Sequence, residues 1–265
     1  MIHFDPLYLI IMLGTTALAM WASWRVKAAY NTYSQVPAMS GLSGAQIAQR
    51  ILDLNNIHDV EVVPTQGLLS DHYDPQNKRL VLCEENFYGT NVAALGVAAH
   101  EAGHAIQHKQ LYAPLQWRMA AVGITTIAGN LIPFIGMFLF YMMPKIAIPA
   151  LALCFGIVMV FQLITLPVEF DATARAKRIL AHTGAVAPGQ ETVAMSKVLD
   201  AAALTYVAAF ISALATFLYY ILPMLGSRRE ERVSGRCMRQ PLPPCPAHEP
   251  PPRPGGAHPA PARAH

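Results

Sequence analysis

Residues 100–104 read His-Glu-Ala-Gly-His. Residues four apart lie on one face of an α-helix, so His100 and His104 bring two imidazoles to one point, a donor pair suited to Zn2+. Glu101 stands about 100° round the same helix. From there its carboxylate reaches a water beside the metal without taking a coordination position. The chemistry served by this grouping is metal-assisted hydrolysis, with Glu101 as general base and then general acid. The rest of the stretch is apolar, from Val92 through Ala94, Leu95, Val97 and Ala99. Burying two imidazoles and a carboxylate there without a shared partner would be costly.

A catalytic zinc takes three protein donors and keeps a fourth position open. Three residues compete for the third place. His108 lies about 12 Å along the axis from His100 on an unbroken helix. The metzincin solution breaks the helix at a Gly three residues after the second His, and here that position is Gln107. Asp200, in Leu199-Asp200, resembles the Leu-Asp ligand motif of intramembrane site-2-type proteases, although Ala201 stands where those have Gly. Glu169, in Leu166-Pro167-Val168-Glu169-Phe170-Asp171, is the strongest of the three. Asp171 is a candidate to orient a ligand histidine. His72, Arg175 and Tyr206 are candidate donors to the oxyanion.

The elements that must position these groups follow from where charge is missing. The chain has 265 residues, 54% hydrophobic and 13% charged, with mean hydropathy +0.33. About 25% charged is usual for soluble domains, so a soluble enzyme or disordered chain is excluded. Net charge +3, with no basic stripe, excludes a nucleic-acid partner. The four cysteines have no CxxC or framework spacing, which suits a reducing compartment. Uncharged apolar blocks of 19, 26, 23 and 27 residues begin after Asp5, Arg118, Lys145 and Asp200. Each is long enough to cross about 30 Å of hydrocarbon as a helix. Trp21, Trp24 and Arg25 close the first block like an interfacial anchor rather than a signal-peptide cleavage site.

Lys and Arg concentrate in 25–118 and 167–200, with Lys145 alone between the second and third blocks. The positive-inside rule then puts the two basic segments in the cytoplasm. Glu169 ends the third block on the side that holds His100 and His104, and a ligand must share its metal's compartment. An Arg-rich tail beyond a fully spanning fourth block would break the rule, and a re-entrant fourth block would not. The expected organisation is a membrane helix over 6–24, a cytoplasmic lobe over 25–118 with the metal helix at 91–110, and a helical hairpin over 119–166. A cytoplasmic helical segment follows over 167–202, then a membrane helix over 203–225 and a disordered Pro/Arg-rich tail over 226–265.

Within the lobe, Ser43 and Gln46 form a capping-box pattern opening a helix with Ile47, Ile51 and Leu54 on one face. Val60 to Val63 and Arg79 to Cys83 read as strands, with a turn at Asp74 to Asn77, and Thr90 or Asn91 caps the metal helix. The Arg79 to Cys83 strand is a candidate to take an extended peptide by strand addition. The fold class is therefore mainly α and membrane-bound, with about four transmembrane helices and a small α/β zincin-like lobe.

Four stretches together carry a resemblance: Ser70-Asp71-His72-Tyr73-Asp74-Pro75, Val97 to His108, Leu166 to Asp171, and Val198 to Ala208. Over roughly Leu7 to Arg232 the chain resembles the bacterial YugP-like family of neutral zinc metallopeptidases. The resemblance implies a zinc-dependent peptidase in the cell (inner) membrane, distantly similar to HtpX-type proteases that act from the cytosolic face. Its substrate would be a membrane or membrane-proximal protein. Those enzymes resemble gluzincins, with a Glu ligand and an Asp four residues later; here that place is Thr173, and Asp171 lies at two. Two rivals stand beside this expectation: a non-catalytic metal-binding membrane scaffold, and a site-2-type intramembrane protease using Asp200. The intact Glu101 speaks against the first, and the polar run Gln107 to Gln110 against the second.

Overall fold

Asp5 accepts a hydrogen bond from the Leu7 amide, and Pro6 sits in the first turn where its missing N–H costs nothing. Helix α1 (Pro6–Tyr33) starts there and continues past residue 24 into the lobe, because nothing between Arg25 and Tyr33 breaks a helix. Its side chains Leu7, Ile10, Leu13, Met20 and Trp24 are exposed, as on a helix whose solvent is lipid. The computed structural model describes residues 5–67 and 70–237, of which 226–237 are described in backbone only. The chain divides into two units, Met1–Met224 and Leu225–His265.

The lobe follows. Helix α2 (Gly44–Leu54) opens with the expected capping box: Gln46 N–H donates to Ser43 Oγ, and Gln46 Oε1 accepts from Ser43 N–H. It buries Ile47, Ala48, Ile51 and Leu52, whereas Leu54 is exposed. The buried face is rotated from the expected one: it lies between the Ile47–Ile51 and Ala48–Leu52 rows, which leaves Leu54 outside its edge. Lys109 donates to the Asn55 and Asn56 carbonyls, which the helix end leaves without partners.

Strands β1 (Glu61–Thr65), β2 (His72–Asp74) and β3 (Arg79–Cys83) form a mixed sheet in the order β1-β3-β2. β3 runs parallel to β1 and antiparallel to β2. β2 was not expected; three residues ending at Pro75 carry too little alternation to read as a strand. Its presence makes β3 the central strand with both edges paired, so peptide addition to β3 is ruled out, and β2 holds a free edge.

After the short helix α3 (Glu84–Tyr88), Asn91 caps helix α4 (Val92–Lys109), accepting from the Ala94 amide. Fourteen of its 18 residues are buried, so it is a core helix. It packs with Ile47, Ile51, Leu80, Leu82, Leu180 and Met195 in one cluster, each such burial contributing about 1.5–3 kcal/mol.

Three further long helices complete the unit. α5 (Ala113–Phe134) passes through Pro133 into a π-helical turn at Ile135–Leu139 and the single turn α6 (Phe140–Met142). α7 (Pro144–His182) has 39 residues and so is about 59 Å long. It is long enough to cross the thickness of a bilayer and still continue beside α4, where it carries Glu169. α8 (Gln190–Cys237) is the last. Among the described residues four helical stretches are long and apolar enough to cross a membrane: Pro6–Tyr33, Ala113–Met142, Pro144–His182 and Gln190–Leu225. The protein is thus a mainly helical membrane protein with a small mixed-sheet lobe. Helix α8 extends through 226–237, the first part of the expected disordered tail. Residues 238–265, the remainder of that tail, lie outside the described residues.

The approach of α4 to α7 depends on Gly103. A Cβ placed there would lie 3.1 Å from the Ala172 carbonyl oxygen and 3.4 Å from its Cα. Gly103→Val should push the two helices apart, costing about 1–3 kcal/mol. The expected result is a lower melting temperature together with reduced zinc content, because His104 and Glu169 lie on the two helices being separated.

Candidate metal centre

His100 and His104 lie one turn apart on α4, rings edge-to-face with centroids 4.8 Å apart. Glu169 comes from α7. Its Oε2 lies 3.2 Å from His100 Nε2 and 3.5 Å from His104 Nε2. All three donor atoms lie within 4.8 Å of one another, the one such group of three His, Cys, Asp or Glu among the described residues. Tetrahedral zinc with donors at about 2.0–2.1 Å separates them by about 3.3–3.4 Å, so the donor set fits the ion. The Glu169 side chain is only 1% exposed. A carboxylate so placed requires cationic or hydrogen-bonding company, and besides the imidazoles it has Arg118, whose guanidinium lies 3.6 Å from Oε1.

The other ring nitrogens are engaged. Gln107 donates through Nε2 to the Val168 carbonyl and to Asp171 Oδ2, both at 2.8 Å. That fixes its amide orientation, so Gln107 Oε1 accepts from His104 Nδ1–H at 3.0 Å. His104 is thereby held as the tautomer whose Nε2 lone pair faces the shared point. Thr173 Oγ lies 3.4 Å from His100 Nδ1, four residues after Glu169. Burial opposes charge on His104. The Glu169 hydrogen bond, with the charges of Glu169 and Glu101, outweighs it and raises the pKa above the ordinary value. A proton therefore competes for this imidazole, and zinc affinity falls as pH falls.

Glu101, itself buried, lines a cavity of about 240 Å3. His104 and Glu169 line it too, with Asp71, His72, Tyr73 and Pro75 on the lobe side. Leu115, Arg118, Met119 and Val122 of α5 and Tyr206 of α8 complete it. Asp71 pins the lobe-side rim, accepting from the Cys83 amide and from Asn86 Nδ2, while Asn86 Oδ1 accepts from the Tyr30 hydroxyl of α1.

The remaining candidates fall elsewhere. Asp200 pairs with Lys177 at 2.6 Å with its side chain 64% exposed, outside the donor group. His108 Nδ1 accepts from the Tyr73 hydroxyl at 2.8 Å. Burial, then the charges of Asp59 and Asp74, push that phenol up to about 12, so it stays protonated as a donor. Asp171 reaches the metal histidines only through Gln107, and it is held in turn by Arg175. Arg175 also donates to Gln110 Oε1 and lies over the Tyr112 ring, away from the cavity that His72 and Tyr206 line.

Two residues went unread in the sequence. Gln107 carried a faint signal, standing three residues from His104 on the same helix face. Arg118 only marks where the second apolar block begins, and the fold sets its guanidinium beside Glu169. Gln107→Leu should leave His104 Nδ1 without its acceptor and weaken zinc binding about 10–100-fold. Competition with a chelating dye would measure it.

Residues 8–225 match the family described as "Putative neutral zinc metallopeptidase". "Putative membrane protease YugP" of Bacillus subtilis (strain 168) is 39% identical over 226 residues, covering 84% of this chain and 99% of that protein. No solved structure matches. With most of the chain matched by both, and with a zinc-compatible donor set brought together by α4 and α7, the protein belongs to the neutral zinc metallopeptidase family.

Proposed function

We propose that this protein is a zinc-dependent endopeptidase of the gluzincin type, cutting membrane or membrane-proximal proteins. The observation that carries the proposal is the convergence of His100 Nε2, His104 Nε2 and Glu169 Oε2 beside a cavity that Glu101 also lines. The three residues hold the metal. When bound, zinc supplies Lewis acidity that acidifies water and polarises the scissile carbonyl. Glu101 takes the proton of the attacking water and passes it to the leaving nitrogen. Tyr206, His72 and Arg118 line the cavity and are the donors available to the developing oxyanion. An extended peptide lies along the free edge of β2, whose His72 and Tyr73 face the same cavity.

The basic segments set the orientation. The lobe over 25–118 and the segment over 167–202 face the cytoplasm, in a multi-pass protein of the cell membrane with spans within 6–24, 119–166 and 203–225. The test is hydrolysis of casein by detergent-purified protein, before and after chelation. Activity that vanishes with the metal and returns on adding zinc is expected. Equal activity of the metal-free protein contradicts the proposal.

A further inference from the structure

Resting on the peptidase proposal above, we infer that the substrate is a polypeptide segment directly flanking a membrane helix, cut within a few residues of where its chain leaves the hydrocarbon. The walls of the catalytic cavity carry the inference. One wall is polar lobe, with exposed His72 on the free strand edge. The opposite wall belongs to helices apolar enough to span a bilayer: Met119 and Val122 of α5 and Tyr206 of α8.

The charge pattern fixes the level of that wall. Arg118 is the last charged residue of α5 before its apolar block, and Asp200 the last of α8 before its own. Val122 lies four residues past Arg118 and Tyr206 six past Asp200, so the cavity reaches about 6–9 Å into the apolar blocks along the helices. Val122 is also 48% exposed. One rim residue therefore faces lipid while His72, across the cavity, faces water.

An extended chain advances about 3.3 Å per residue. Depths of about 6–9 Å thus correspond to about two or three extended residues between the deep end of the cavity and the level of Arg118, whose guanidinium lies 3.6 Å from Glu169. A peptide leaving an apolar helix would have its first extended residues between α5 and β2. A lipid offers no backbone to pair with the strand edge. A soluble loop would leave the apolar wall against water.

The test uses the full chain in lipid vesicles with three reporters sharing one unstructured casein-derived cassette. In the first the cassette directly follows an apolar helix of about 20 residues; in the second a Gly-Ser spacer of about 12 residues separates them; the third is the free cassette. At least tenfold faster cutting of the first reporter is expected. Equal cutting of all three overturns the inference and leaves the peptidase proposal standing. No cutting of any reporter, or of casein, by zinc-loaded protein overturns both. A photocrosslinker at Val122 in Glu101→Gln protein gives a readout without turnover. It should capture the first reporter and not the free cassette, and capture of lipid alone overturns the inference.

Discussion

Glu101→Gln should keep zinc at the stoichiometry of the unchanged protein while peptide hydrolysis falls about 10²–10⁴-fold, the range for loss of a positioned general base. The separation of the two effects is the point. Glu101 is not in the three-donor group, so the amide leaves His100, His104 and Glu169 undisturbed. It lines the cavity beside that group, so losing its basicity removes the acceptor for the water's proton. The substitution is nearly isosteric, so melting temperature should barely move. Hydrolysis near the original rate in Glu101→Gln would place the base elsewhere. A scaffold without turnover would show no activity to lose.

Glu169→Ala should lose both zinc and activity. Disturbing the groups that orient a ligand weakens metal binding about 10–100-fold. Removing a direct donor together with its charge should weaken it further, beyond about 100-fold. Glu169→Gln separates charge from shape, because the amide preserves packing beside Val168 and Ala172 but is a poorer donor. Zinc affinity should fall here too. Asp200→Ala is the internal control. Its own side chain is 64% exposed beside a part-buried Lys177, and a pair so open to solvent contributes about 0–1 kcal/mol. Zinc content should therefore be unchanged. The reverse pattern, zinc lost in Asp200→Ala and kept in Glu169→Ala, would favour the site-2-type arrangement.

The membrane helices and the two histidines were legible because each rests on a local pattern: uncharged runs of spanning length, and two imidazoles at helical spacing. Glu169 was legible only after the charge count put the end of its helix on the same side of the membrane as the metal helix. The rest depended on contacts between distant residues. Gln107 meets Val168 and Asp171 across 61 and 64 positions of sequence, and no pattern around Gln107 alone announces that. β2 was invisible for a different reason. Three residues are held as a strand by β3 and by Asp71's hydrogen bonds, not by their own propensity. That one strand reassigned the free sheet edge from β3 to β2. Arg175 shows the converse: a cation two turns from Glu169 on the same helix looked available to the substrate, yet Asp171 and Gln110 hold it outside the cavity.

X-ray absorption at the zinc edge tests the three-donor centre most directly, comparing purified protein with Glu169→Ala. Two imidazole nitrogens and carboxylate oxygen within a shell at about 2.0–2.1 Å are expected, with loss of bound zinc in the variant. A sulfur shell at about 2.3 Å, or an unchanged spectrum in Glu169→Ala, would contradict it.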